Sequence, residues 1–257
     1  MAPLLELHDC SVAFGGLRAV AALDLQVGEK ELVGLIGPNG AGKTTVFNAI
    51  SGVCRLEDGR ITFRGRRIDG LPAYQTARMG IIRTFQNVRL FSRLSVLDNV
   101  RSARPPRAGY PMVWALARSP AYHEAEERLR EQAMAALRLF GLEKVAEQPA
   151  GALPYANQRR VEMARALEME PALLLLDEPT AGMNPVETSA TMALIQRVQQ
   201  ERGLSILLIE HDMRVVMGIC ERIAVLDHGE KIAEGPPAQV RRNPKVIEAY
   251  LGEETAA

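Results

Sequence analysis

Between residues 37 and 45 the chain reads Gly37-Pro38-Asn39-Gly40-Ala41-Gly42-Lys43-Thr44-Thr45. Glycines at these spacings let the backbone curl so that successive N–H groups point inward, a geometry that cradles phosphate oxygens. Lys43 then reaches the outer phosphates, and the Thr44 hydroxyl suits Mg²⁺. A glycine-rich turn with a chance lysine is the bland alternative. The apolar run before the curl and the helical pattern after it argue against that reading, because a helix start adds unpaired N–H donors and a positive dipole end. Further along, Asp177-Glu178 closes the run Leu173-Leu174-Leu175-Leu176. Carboxylates that end a buried parallel strand lie at the crevice where α/β sheets bind ligands. Asp177 suits the water shell of magnesium, and Glu178 suits polarising an attacking water; a helix-capping acidic pair before Pro179 is the alternative. His211 follows the buried run Ile206-Leu207-Leu208-Ile209, where it suits a sensor of the terminal phosphate better than a structural histidine.

The elements that must position these groups are legible from periodicity. Leu23, Leu25 and Val27 alternate with Asp24 and Gln26 as in a half-buried strand, whereas Glu31–Ile36 is continuously apolar, as in a strand buried on both faces. A helix is expected from Lys43 to Ser51, with short strands at Ile61–Phe63 and Thr84–Gln86. Gln86, closing the latter, stands where the chain leaves for a helical stretch from about Ser95 to Leu167, interrupted by a loop from Pro105 to Pro111. Within that stretch Ala125, Leu129, Ala133, Ala136, Leu137 and Phe140 recur near a 3.6-residue period. The last third alternates again: strands at Leu173–Leu176 and Ser205–Ile209 flank a helix from Val186 to Arg202, predicting a parallel pair. Arg222–Leu226 and Lys231–Ala233 read as a hairpin. The expected architecture is an α/β fold split by a helical insertion.

Composition narrows the function classes. A chain of 257 residues can bury a full core without disulfides or metal staples, and its 47% hydrophobic and 24% charged residues are ordinary for a globular protein. Lys plus Arg and Asp plus Glu are 31 each, so a broad polyanion-binding face is not expected, and no nucleic acid partner is expected. No apolar run approaches the ~18–20 residues that cross a bilayer, and the first ten residues lack the pattern of a secretory signal. Cys10, Cys54 and Cys220 form no CxxC pair, which fits a reduced compartment and plain packing roles.

Together these residues resemble the ATP-binding cassette family, the nucleotide-binding subunits of ABC transporters. The resemblance spans nearly the whole chain. It implies a P-loop cassette with a parallel-sheet core, an N-terminal antiparallel β part and an inserted helical subdomain. The implied division is 1–91 and 168–235 for the core with its β part, 92–167 for the helical subdomain and 236–257 for a C-terminal helical tail. It further implies ATP and Mg²⁺ as cofactors, Phe14 stacked on adenine, and Gly37 through Thr45 around the phosphates. Thr44, Gln86 and Asp177 would serve the metal, Glu178 and His211 catalysis, and Ala181-Gly182-Met183-Asn184 the D-loop. The family signature, which acts on nucleotide held by the opposite subunit, corresponds to Leu153, Pro154, Tyr155, Ala156 and Asn157. Here the chain departs from the usual Leu-Ser-Gly-Gly-Gln: Pro154 lacks both hydroxyl and N–H, and Ala156 replaces a glycine.

Finer stretches, Arg83–Phe91, Arg118–Tyr122, Asp177–Pro185 and Asn243–Gly252, look like the LivG-type ATPases of branched-chain amino acid importers. That likeness implies membrane permeases, a second ABC ATPase in a heterodimer and a periplasmic binding protein as partners, and a peripheral place on the cytoplasmic face of the inner membrane. Rival expectations are an ATPase for amide, urea or lipopolysaccharide transport, a non-transport ABC ATPase, and a nucleotide-gated module without catalysis. Glu178 and His211 speak against the last. One phosphate loop, no coiled coil and no zinc-type cysteines speak against ribosome- or DNA-acting members.

Overall fold

The computed structural model describes residues 3–104 and 119–254; the expected loop from Pro105 to Pro111 and Arg118 lie outside them. The chain divides into two compact units, one formed by the residues up to Arg83 and from Ala172 onward, the other by Thr84–Pro171.

The first unit holds two sheets. β1 (Leu5–Phe14), β2 (Leu17–Val27), β4 (Asp58–Phe63) and β5 (Arg66–Arg67) form an antiparallel sheet in the order β2-β1-β4-β5. The alternation in β2 is as expected, with Leu23, Leu25 and Val27 buried and Asp24 and Gln26 exposed. The second sheet contains β3 (Leu32–Ile36), β6 (Ile81–Arg83), β7 (Leu173–Asp177), β8 (Ser205–Ile209), β9 (Arg222–Asp227) and β10 (Glu230–Gly235), ordered β10-β9-β3-β8-β7-β6. All its pairings are parallel except the β9–β10 hairpin. Every residue of β3, β7 and β8 is buried, which is why these strands read as unbroken apolar runs rather than alternations. The register aligns Leu35 with Ile209 and Ile209 with Asp177. The loop after β3, the acid that ends β7 and the residues after β8 therefore leave the sheet at one edge, and that alignment builds the site.

One expected strand is displaced. Thr84–Gln86 is not a strand; the edge strand is β6, and its pairing with β7 ends at Arg83. The physical reason is that the carbonyls of Phe85 and Gln86 are taken by the Arg159 guanidinium instead of a neighbouring strand.

Helices of the first unit are α1 (Lys43–Ile50) and α2 (Ala73–Arg78) before the division, and α6 (Pro185–Arg202), α7 (Met213–Ile219), α8 (Pro237–Val240) and α9 (Pro244–Glu254) after it. The second unit packs α3 (Val96–Arg101), α4 (Pro120–Leu139) and α5 (Tyr155–Leu167). Ala125, Ala133, Ala136, Leu137 and Phe140 are buried as the periodicity requires, and Leu129 is half-buried. α4 starts at Pro120 because the Ser119 hydroxyl accepts from the Tyr122 N–H at 3.2 Å and proline fits a first turn.

Candidate active site

The phosphate loop is shaped by contacts that forbid side chains. A Cβ on Gly37 would lie 2.0 Å from the Leu226 carbonyl oxygen, and one on Gly42 (φ 99°) 2.4 Å from that of Ala19. Gly42 is also the N-cap of α1; among the described residues no side chain caps this helix, and its first turn carries no acid. A helix start of this kind, with its dipole end, suits an anion. Lys43 is only 6% exposed, and its Nζ donates to the carbonyls of Gly37 at 2.6 Å and Pro38 at 2.7 Å, strapping the loop shut. Thr44, Asn39 and Gly40 are exposed, and Thr45 is half-buried. A cavity of about 790 Å³ flanks the loop, bounded by Pro38, Asn39, Gly40 and Ala41, the Asp227-His228 turn, and Lys245 and Glu248 of α9. Phe14 stands 53% exposed at the end of β1, a ring with an open face beside the Gly15 turn.

Asp177 ends β7 with 4% exposure. Glu178 follows in the left-handed region at φ 45°, its N–H donating to the Ile209 carbonyl at 3.0 Å and its carbonyl accepting from the Ala181 N–H at 3.1 Å. A non-glycine residue held in that region is a local strain that recurs at functional sites. His211 is exposed at the end of β8. In the D-loop, the Asn184 side chain accepts from the Val186 and Glu187 N–H groups at 3.0 Å while Glu187 accepts from the Asn184 N–H, a capping box that starts α6.

Sequence reasoning missed two functional neighbours. Arg83 donates to Asp177 Oδ2 at 2.8 Å and to Asn48 Oδ1 at 2.7 Å, and its guanidinium stands 5.5 Å from the Phe47 ring centroid. It thus ties the helix after the phosphate loop to the acid of β7. Glu210, fully buried, sits between Thr180 and His211. Burial pushes its carboxyl above the usual carboxylate range, against the donors around it. The available signal was a charged residue abutting a wholly apolar strand, which must find a partner when buried.

In the second unit, Gln86 is exposed and its carbonyl is held by Arg159, itself paired with Glu162 at 2.9 Å in a buried contact. The signature residues form the start of α5. Pro154 is its N-cap with no capping hydrogen bond, Pro154 and Tyr155 are exposed, Asn157 is half-buried, and Leu153 and Ala156 are buried. The structure thus brings Phe14, the loop, Asp177, Glu178, Asn184 and His211 into one unit, and Gln86 and the signature into the other.

Of the donors expected for a metal, the Thr44 hydroxyl and the Asp177 carboxylate belong to the first unit and the Gln86 amide to the second; all offer hard oxygens, and among the described residues no group of three or more His, Cys, Asp or Glu forms a cage. Such a set fits Mg²⁺, which is held by one or two carboxylates together with substrate phosphates and water. Burial pushes the Cys10 thiol up to about 11 and raises those of Cys220 and the half-buried Cys54.

Comparison with known proteins places this geometry. The family model described as ABC transporter matches residues 20–181, and that described as Branched-chain amino acid ATP-binding cassette transporter matches residues 230–256. The chain is 45% identical over 251 residues, 98% of each chain, to the high-affinity branched-chain amino acid transport ATP-binding protein LivG of Salmonella typhimurium. A nucleotide-free ATP-binding cassette from an ABC transporter superposes with TM-score 0.82 at 28% identity, covering 97% of this chain and 99% of that one. A dimeric cassette in a post-hydrolysis state bound to ADP and Pi gives TM-score 0.73 at 25% identity, covering 91% and 98%.

Proposed function

The chain belongs to the ABC transporter family as an ATP-binding, ATP-hydrolysing subunit, and we propose that the transport it powers is import of branched-chain amino acids. The observation that carries this reading is the likeness to LivG along the whole chain; the tail match adds to it.

Each residue has a role in the proposed cycle. The loop N–H groups, the α1 terminus and the Lys43 ammonium bind the phosphates, and Phe14 offers its face to adenine. Thr44 and Asp177 would hold Mg²⁺, which would supply neutralisation of phosphate charge. The Glu178 carboxylate accepts a proton from the attacking water, and the His211 ring holds the γ-phosphate. The start of α5, with the N–H groups of Tyr155 and Ala156, faces the nucleotide of a second ABC ATPase, and that partner's signature completes the site of this chain. Two permeases receive the motion. The exposed apolar side chains of Phe91 and Leu94, whose loop is braced by the buried Asn99 amide, support a docking surface on the second unit. A periplasmic binding protein delivers the solute, and the subunit works peripherally on the cytoplasmic face of the membrane. Among the described residues no helix is long and apolar enough to cross a membrane.

The test is transport. The chain is co-expressed with permeases, a second ATPase and a binding protein of a branched-chain amino acid importer, in cells lacking their own. ATP-dependent uptake of labelled leucine, isoleucine and valine is expected; uptake of amides or urea in their place would overturn the assignment.

A further inference from the structure

We propose that Glu210 is a positioning residue that locks the turn carrying the general base Glu178 to the phosphate-sensing His211, so that the two act as one joint. This rests on the roles assigned above to Glu178 and His211. Glu210 has no exposed surface, and its carboxylate divides its two oxygens between the two catalytic segments. Oε1 accepts from the Thr180 N–H at 3.0 Å and from the Thr180 hydroxyl at 2.6 Å, on the turn two residues past Glu178. Oε2 accepts from the His211 N–H at 3.3 Å and lies 3.7 Å from His211 Nδ1. A second tie runs alongside, the Glu178 N–H to the Ile209 carbonyl at 3.0 Å, and it holds Glu178 at φ 45°.

Burying a carboxylate is costly unless hydrogen bonds offset it, and an apolar residue would follow this strand at no such cost. What the acid provides, and an apolar residue cannot, is a rigid two-ended acceptor. Because both oxygens belong to one planar group, a rotation that follows His211 also drags Thr180, and with it the turn after Glu178. Contact between the His211 ring and the terminal phosphate is thereby transmitted to the base on the neighbouring strand. The arrangement requires an acceptor at both ends. In Glu210→Gln the amide oxygen can still serve Thr180, but the NH₂ group then meets the His211 N–H donor to donor.

The experiment measures, by calorimetry on the full chain with Mg²⁺, the affinity for ADP and for the non-hydrolysable ATP analogue AMP-PNP. His211→Ala is expected to lower the preference for the analogue by about tenfold, the worth of one hydrogen bond to a charged group. Glu210→Gln is expected to lower that preference by a similar factor with ADP affinity unchanged, and to add nothing further in the His211→Ala background. If His211→Ala leaves the preference intact, the sensor reading itself fails and the joint falls with it. If His211→Ala acts as expected but Glu210→Gln has no effect, lowers ADP affinity equally, or multiplies the loss in the double variant, the joint alone is overturned. Should Glu210→Gln not fold, Thr180→Val removes only the hydroxyl donor; a smaller loss in the same direction supports the joint, and a parental preference refutes it.

Discussion

At Glu178 the backbone takes a left-handed conformation that costs roughly 1–3 kcal/mol for a side chain of its type. The Glu178 N–H bond to the Ile209 carbonyl of β8 maintains it, just past the end of a buried strand. Replacing Glu178 by glutamine keeps the shape and removes the base. Glu178→Gln is therefore expected to retain ATP binding and lower turnover of the assembled transporter by ~10²–10⁴-fold; steady-state hydrolysis near the parental rate would remove Glu178 from the role. Arg83 acts differently, because its contact is with Asp177 rather than with substrate. Both side chains of that pair are largely buried, so Arg83→Met takes the guanidinium away from a buried carboxylate and should cost about 3–5 kcal/mol of stability. Adding Asp177→Asn should restore part of the loss, which chemical denaturation of the two variants would read; strict additivity would show that the pair is not coupled.

Among the elements, β9 is fastened by one guanidinium. Arg222 donates to Glu31 Oε1 at 2.9 Å and Oε2 at 2.8 Å, to the Gln26 carbonyl of β2 at 2.8 Å and to Glu234 of β10, joining the two sheets of the first unit. Burial pushes the Glu31 carboxyl up, yet the Arg222 fork and the Gly28 N–H outweigh it and the net shift is downward. A carboxylate whose folded pKa is depressed stabilises above its unfolded pKa and loses that contribution as pH falls through the folded one. Glu31→Gln should therefore lower stability by about 1–2 kcal/mol at neutral pH, with the gap to the parent closing as pH drops below the ordinary carboxylate range. Thermal melts across that range check this; a gap independent of pH would assign the loss to packing alone. In the second unit, the N-cap of α5 is Pro154, where the usual hydroxyl and one N–H are missing. Its remaining donors are those of the following turn.

On the scale of the whole molecule, the proposed heterodimer would put the effect of that change on a neighbour. If the signature acts across a dimer, Pro154 and Ala156 weaken the partner's nucleotide site, while this chain's own loop, Glu178 and His211 stay complete. The isolated chain is expected to hydrolyse ATP weakly and to speed up when the second ATPase is added. Pro154→Ser with Ala156→Gly should raise the activity of the isolated chain, since donors aimed at developing phosphate charge are each worth roughly 3–4 kcal/mol in a dry site. ATPase assays with dimerisation confirmed by light scattering decide it; no gain in the reverted chain would mark the altered signature as neutral.

The phosphate loop, Asp177-Glu178 and the buried strands were legible in the sequence because each is a local rule: glycine spacing favours a curl, and a short, wholly apolar run bounded by turn signals fits a strand covered on both faces. The roles proposed for Phe14, Gln86 and the signature rest on family likeness rather than on any local rule. Tertiary structure alone decided what no local rule contains. The β3-β8-β7 register places three strand ends on one edge. The strand expected at Thr84–Gln86 gives way because Arg159, distant in sequence, takes its carbonyls. Arg83 and Glu210 find Asp177 and Thr180 across 94 and 30 residues of chain. A buried charge must be paired, so its presence next to an apolar run is visible in the sequence, but the identity of its partner depends on how the strands are ordered in the sheet.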